Sequence, residues 1–442
     1  MDKPWSQVEL IREAFHYQSR FNGSTIVFKI DFPVTEHPLF PSMVKDLALL
    51  SQIGLRVVIV PGAKEWIDVI LGENHITSLY KGSSRITCGK AMPFVQMAAF
   101  DSVTRFMTGF SGSRVDAVTG NFIRARGLGV IDGVDMEHTG TVDKFYIDSL
   151  RRILELGMVP LLPCIGWSPS GKPYNVPSDE IALEASVKLA AVKLFIISLS
   201  GGIKKDNFSI PDGIETAENG RIVRLTPQEA MRVLASNPSS GRNGDNKTLA
   251  ELALAVKACG GGVERVHIID GGEEGAVLKE LFSNLGAGTM VYADEYESIR
   301  GIRSRDIPDI IRIMEPLMQQ GTLIRRTPED IQNKKEDYAV FVIDGHIHAC
   351  GALHNWGEDQ GEIAAVATDP GCAEMGMGRR IVRYFIDKAK KQGLKRVFVL
   401  TTRTHDWFES LGFREAPVET LPEKKLRLYD NSRNSKVFAL DL

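Results

Sequence analysis

Residues 361–383, GEIAAVATDPGCAEMGMGRRIVR, carry the residue types and the order of an anion site. A strand-like run leads into a glycine-bearing loop, and the loop opens a helix. Free backbone N–H groups at a helix start, and the positive end of its dipole, attract negative charge. Gly376 and Gly378 remove side chains where a diphosphate has to come close. Short glycine motifs serve plain tight turns equally well, so the loop alone leaves both readings open. Two further segments are cationic: Arg325-Arg326, and Arg433 with Lys436 in YDNSRNSKVF. Guanidinium forks match carboxylates bidentately, although any single arginine also reads as a solvated surface charge.

The elements that must position these residues follow from hydrophobic periodicity. Val8, Ile11 and Phe15 fall on one face of a short helix over residues 5–20. Strands are expected at 25–28, 55–60, 158–163, 194–199 and 265–269. Helices are expected at 41–53, 145–156, 179–192, 247–259 and 275–284. Apolar strands alternating with amphipathic helices predict a mainly parallel sheet covered on both faces. The pattern changes at about 293–298, and hairpins begin. Residues 338–343 and 346–353 flank Asp344-Gly345, a type I′ turn pair. A strand over 361–368, a helix over 377–392 and a strand over 396–401 follow. The expected fold class is α/β throughout, an α/β/α sandwich followed by a mixed-sheet domain. The expected division is a helix over 1–20, a first domain over 21–295 and a second over 296–442.

Bulk properties narrow the function classes. A chain of 442 residues with 43% hydrophobic and 25% charged residues is ordinary for globular protein. A formal charge of −3 gives no reason to expect nucleic acid or an anionic membrane as partner. No apolar run reaches the ~18 residues that span a bilayer, and the N-terminus lacks signal-peptide character. The cysteines at 88, 164, 259, 350 and 372 form no CxxC pair, so neither disulfides nor a metal site is expected. The expected compartment is the cytoplasm.

Over residues 296–442 the order of elements, the glycine loop and the segment Trp407-Phe408-Glu409-Ser410-Leu411-Gly412-Phe413 resemble the Gcn5-related acetyltransferase superfamily. Its diphosphate loop reads Gln/Arg-x-x-Gly-x-Gly/Ala. Gly376 and Gly378 match the glycines, and Ala373 departs at the first position. The resemblance implies acetyl-CoA as co-substrate, bound by Ala373, Glu374, Met375, Gly376, Met377, Gly378 and Arg379. It also implies backbone donors at Ala365, Val366 and Ala367 for the thioester oxygen. Where family members often carry a proton-donating tyrosine this chain has Phe408, which leaves Tyr429 or Thr401 to meet the departing thiolate. An amine acceptor is mostly protonated at neutral pH and needs a base, for which Glu362 is the candidate. Glu362 also reads as a solvated strand carboxylate, and Thr401 as an ordinary strand residue.

Residues 20–293 resemble the amino acid kinase family, above all over 263–291, VERVHIIDGGEEGAVLKELFSNLGAGTMV. Asn175-Val176-Pro177-Ser178-Asp179 is similar to the family's Asn-x-Asn-Ala-Asp stretch. The phosphate-binding parts differ. Lys29-Ile30-Asp31-Phe32 stands where the family has Lys-Tyr-Gly-Gly, and Val60-Pro61-Gly62-Ala63 where it has His-Gly-Gly-Gly. Proline removes an N–H donor and Asp31 adds negative charge where phosphates would sit, so no phosphoryl transfer is expected. In arginine-sensitive members the effector site falls on His267, Glu280, Gly286 and Gly288. There a helix like that over 5–20 links dimers into a hexamer.

A kinase-like half followed by an acetyltransferase half resembles the bacterial amino-acid N-acetyltransferases. The resemblance implies acetyl transfer to the α-amino group of L-glutamate. Arg325, Arg326, Arg433 and Lys436 would hold its carboxylates, and L-arginine would act as effector. An enzyme of the kinase type and a non-catalytic arginine-sensing module are the rival readings.

Overall fold

The computed structural model describes residues 21–442 apart from 83, 215, 218, 239–242, 283–286, 294–296, 344–345 and 370–376. The side chains of 243–246, 297 and 343 are likewise left aside. The helix expected over 5–20 and the Asp344-Gly345 turn therefore lie outside the described residues. The chain divides into two compact units, Met1–Asp294 and Glu295–Leu442.

The first unit is built on a six-stranded sheet. Its order is Arg224–Leu225, Thr289–Tyr292, Arg265–Asp270, Lys193–Ser198, Thr25–Ile30, Arg56–Pro61. Every pairing is parallel except that of Arg265–Asp270 with Thr289–Tyr292. Strand side chains alternate between faces, and both faces here are apolar. Val27, Val58, Leu194 and Ile196 enter one core. Ile26, Phe28, Val57, Ile59, Phe195 and Ile197 enter the other. Helices Phe40–Gln52 and Ala276–Phe282 supply the second core. Met92–Phe110 and Ser178–Lys188 pack into the first.

Two differences from the sequence reading have local causes. The strand expected over 158–163 is a ladder of only Val159–Pro160, paired with Ala117–Val118. Proline has no N–H to donate, and Pro160 and Pro163 interrupt the run. A separate four-stranded sheet, Pro173–Asn175, Ile165–Trp167, Ile123–Gly127 and Gly140–Phe145, was not expected. Its strands are three to six residues long, and the alternation in Ile123–Gly127 runs for only four residues before a glycine.

The second unit holds a seven-stranded sheet in the order Glu297–Gly301, Tyr338–Ile343, His346–Gly357, Gln360–Thr368, Arg396–Thr401, Lys436–Asp441, Arg414–Ala416. Neighbours are antiparallel except at the centre, where Gln360–Thr368 and Arg396–Thr401 run parallel. Met377–Lys391 covers one face with Ile381, Val382 and Phe385. Ile307–Gln319 covers part of the other with Ile310, Ile313 and Met314. Pro308 starts the latter helix where an N–H would have no partner, and the buried Asp306 before it accepts from Arg300 (2.6 and 3.1 Å) and from the Arg303 N–H.

Candidate functional site

The centre of the second sheet opens. Among the described residues Gln360–Thr368 pairs with Arg396–Thr401 only from Gln360↔Arg396 to Glu362↔Phe398. Past that point Arg396–Thr401 continues its ladder with Lys436–Asp441, up to Thr401↔Lys436, and residues 363–368 continue alone on that edge. Backbone polar groups require partners, so this edge suits an extended ligand carrying amides. Opposite it, two residues, Ala365 and Val366, face the single Gly351, a β-bulge between Ala352↔Ala364 and Cys350↔Ala367. Ala365 takes φ +56° there. A bulge re-aims the local N–H groups, and bulges cluster beside active sites. Gly351 is required at this point, because a Cβ would stand 2.7 Å from the Phe385 ring.

Helix Met377–Lys391 begins just beyond this strand, and its first turn holds Met377, Gly378 and Arg379 of the segment read from the sequence as an anion site. Gly378 lies against Trp407 and Thr368, where a Cβ would make ordinary contact at 3.4–3.5 Å. Arg379 is exposed, with Ser410 Oγ 3.5 Å away. Ala373, Glu374, Met375 and Gly376 lie outside the described residues. Phe408 is buried against Trp407 and Phe413, an apolar role consistent with its lack of a proton.

Glu362 is 6% exposed. Its carboxylate accepts from Lys425 Nζ at 2.8 and 2.9 Å and from Trp356 Nε1 at 2.8 Å. The Lys425 ammonium also lies 4.9 Å from the centre of the Trp356 ring. Thr401 ends its strand as a hydrogen-bond hub. Its Oγ1 accepts from the Thr404 and Arg403 N–H groups at 3.0 and 3.3 Å and lies 2.8 Å from Thr404 Oγ1. The Tyr429 hydroxyl donates to the Ser435 carbonyl at 2.5 Å.

Among the basic residues, Arg433 donates to the Gly321 and Thr322 carbonyls at 2.9 and 3.2 Å, and so ties its turn to the loop after Ile307–Gln319. That loop continues to the exposed Arg325 and half-buried Arg326. Lys436 pairs with Glu415 at 3.1 Å. Sequence reasoning passed over Trp356, Lys425, His354 and Asp337. The signal lay in HIHACGALHNW, where a period of two places His354 and Trp356 on one face. His354 stands directly opposite Glu362 in the ladder.

In the first unit His267 and Glu280 meet. His267 Nδ1 lies 2.7 Å from Glu280 Oε1, and the two residues are 2% and 8% exposed. Glu280 Oε2 accepts from the Ala287 and Gly288 N–H groups, and Gly286 lies outside the described residues. Burial holds His267 below the usual histidine range. Burial alone would lift Glu280, but the His267 hydrogen bond and the Ala287 N–H bring it below the usual carboxylate range. The arrangement is a neutral imidazole donating through Nδ1 to a carboxylate, with the imidazole stacked on Phe195 (centroids 4.6 Å apart). His267 Nε2 is buried without a hydrogen-bond partner among the described residues.

At the altered glycine positions charge is paired internally. Lys29 Nζ binds Asp31 at 2.5 Å and Asp179 at 2.8 Å, and Lys247 Nζ binds Asp31 at 2.5 Å. Carboxylates thus occupy the ammonium groups a phosphate would need. Glu251 is buried beside them, and burial lifts its carboxyl to about 7 against the pull of Lys29. Among the described residues no group of three or more His, Cys, Asp or Glu side chains is placed to hold a metal ion, and no helix is long and apolar enough to cross a membrane.

Residues 24–270 match the amino acid kinase family and residues 307–413 the acetyltransferase (GNAT) family. The amino-acid acetyltransferases of Shigella flexneri and Escherichia coli K12 are each 35% identical over 98% of this chain and 98% of their own. Among solved structures, N-acetylglutamate synthase from Neisseria gonorrhoeae complexed with coenzyme A and L-arginine is 34% identical with a TM-score of 0.82. That match covers 99% of this chain and all of the other. The same synthase complexed with coenzyme A and N-acetyl-glutamate is 35% identical over the same shares, with a TM-score of 0.61. With a kinase-like unit, an acetyltransferase unit carrying an opened sheet, and near-full-length likeness to these enzymes, the chain belongs to the amino-acid acetyltransferase family.

Proposed function

We propose that this protein transfers the acetyl group of acetyl-CoA to the α-amino group of L-glutamate, the entry step of arginine biosynthesis, under control by L-arginine. The observation that carries this reading is the likeness, across 99% of the chain, to a synthase solved with coenzyme A and N-acetyl-glutamate. The extended arm of acetyl-CoA would lie along the free edge of residues 363–368. Its diphosphate would meet residues 373–379. The N–H groups at the Ala365–Val366 bulge would face the thioester oxygen as charge develops on it. Glu362 would receive the acceptor's ammonium and assist its deprotonation. Arg325, Arg326, Arg433 and Lys436 would hold the two carboxylates, and Thr401 and Tyr429 would face the departing thiolate.

The working division we infer is a helix over 1–20, a regulatory domain over 21–295 and a catalytic domain over 296–442. The two compact units support it. L-arginine would bind at His267, Glu280, Gly286 and Gly288. Its guanidinium would compete with the internal donors that Glu280 now accepts. Arginine control requires two states with different affinity for the effector. The family resemblance supports a homohexamer joined through the 5–20 helix, working in the cytoplasm, where acetyl-CoA is available. The ion pairs of Lys29 and Lys247 argue against a phosphoryl-transfer reading.

A thiol-release assay with acetyl-CoA and L-glutamate, with and without L-arginine, tests the proposal. Glutamate-dependent release that arginine alters is the expected result. Release with a different amine alone would overturn the acceptor, and no release with any amine would overturn acetyl transfer.

A further inference from the structure

Glu362 has both carboxylate oxygens engaged. Its two oxygens accept from two donors, Lys425 and Trp356, at 2.8–2.9 Å. A proton placed on that carboxyl displaces one of those bonds, so an efficient reaction passes it on. Directly across the ladder stands His354, 9% exposed. Directly opposed side chains on one face have Cβ atoms about 4.5–5.5 Å apart, and the charge of Glu362 acts on the imidazole. His354 Nδ1 lies 2.6 Å from Asp337 Oδ2. A carboxylate only accepts, so Nδ1 carries the hydrogen, and the lone pair sits on Nε2. The Tyr338 ring stands edge-on to the imidazole, with centroids 6.0 Å apart, and limits its rotation.

We propose that His354, oriented by Asp337, is a positioning residue that relays the acceptor's proton away from Glu362. The inference rests on the reading of Glu362 as the group that receives the acceptor ammonium. The ammonium gives one proton to Glu362, which passes it to His354 Nε2, and Asp337 stabilises the imidazolium. The freed amine attacks the thioester carbonyl, and the C–N bond forms. The tetrahedral intermediate breaks its C–S bond, and the second amine proton leaves with sulfur as the free thiol. His354 then returns the first proton to water.

The charges that face His354 come from three neighbouring elements. Asp337 precedes the Tyr338–Ile343 strand, Glu362 lies on Gln360–Thr368, and Lys334 follows the Pro328–Asn333 helix. Lys425 lies beyond Glu362. Burial brings His354 below the usual histidine range, while Asp337 and Glu362 pull it upward. The neutral form that can accept a proton is therefore the form present at neutral pH.

The test is the pH profile of kcat for full-length protein, read by thiol release with L-glutamate, for the unaltered chain and for His354→Gln, Asp337→Asn and Glu362→Gln. His354→Gln is expected to lower kcat about 100-fold, leave KM for acetyl-CoA within twofold, and abolish the acidic limb. Asp337→Asn removes a charge that favours imidazolium and is expected to move that limb to lower pH. A merely structural role would lower activity without moving the limb. An unchanged limb in Asp337→Asn, or His354→Gln with the kcat of the unaltered chain, overturns the relay. If Glu362→Gln alone is impaired, the relay falls and the acetyl-transfer reading stands. If the unaltered chain acetylates no amine, the underlying reading falls with it.

Discussion

Replacing Glu251 by glutamine should stabilise the first unit, and do so more at pH 8 than at pH 5. Glu251 is buried beside Lys29 and Asp31, and its carboxyl is lifted from 4.5 to about 7, first by burial. A carboxyl lifted in this way favours the folded state fully while both states are protonated, below about pH 4.5. That advantage is lost as pH rises towards 7, because the unfolded chain ionises first. At about 1.4 kcal/mol per pH unit, the rise from 4.5 to about 7 corresponds to roughly 3 kcal/mol. Glutamine keeps the shape of the protonated acid and cannot ionise. The penalty carried by the native residue at pH 8 should therefore vanish in the variant, whereas at pH 5 the gain should stay below about 1 kcal/mol. For a unit of this size, roughly 3 kcal/mol corresponds to a rise of roughly 5 °C in Tm. Differential scanning calorimetry of the full chain at the two pH values reads it directly. Equal shifts at pH 5 and pH 8, or a lower Tm at pH 8, would refute the reasoning.

Other substitutions probe the two candidate sites. Glu280→Ala leaves the Ala287 and Gly288 N–H groups without their acceptor. It should lower stability by about 1–3 kcal/mol and abolish the response of thiol release to arginine, and His267→Ala should abolish the same response. Ala365→Val places a β-branched side chain at φ +56° and should destabilise the second unit by about 1–3 kcal/mol. Ala365→Gly should be tolerated, and comparing their melting temperatures decides the point. Gly351→Ala should also destabilise this unit, because its Cβ would meet the Phe385 ring at 2.7 Å. A Tm equal to that of the unaltered chain would refute the required close approach.

The large apolar strands were legible because their burial is two-sided. KLFIIS at Lys193–Ser198 and RVHIID at Arg265–Asp270 could only be interior. The hairpin strands were legible from the Asp344-Gly345 pair between them. The Ile123–Gly127 strand, IRARG, was not. Its alternation, with Ile123 and Ala125 buried in the core and Arg124 and Arg126 turned away from it, runs for only four residues before Gly127, and its ladder partners are distant in sequence. At the site, Glu362 could be singled out as an acid in an apolar strand. Its partner Lys425 could not, because 63 residues separate them and only the folded chain joins them. His354 was hidden for the opposite reason. It stands among ordinary strand residues, and its significance depends on the register that sets it across from Glu362. The bulge at Ala365 leaves no mark in composition at all, since alanine does not announce a left-handed backbone.

The opened sheet has a consequence for solubility. An unpaired strand edge ordinarily invites pairing with a second molecule, and proteins guard such edges with charge, proline or covering loops. Here the unpaired edge of residues 363–368 lies in the middle of the sheet, with ladders continuing on both sides. A flat strand from another sheet would have to wedge between two strands that are already held together at their common start. A single slender chain with amide groups can enter from the open end. Placing the edge inside rather than at the perimeter thus sorts visitors by width, and lets one stretch of backbone remain receptive to a small molecule without becoming a seed for aggregation.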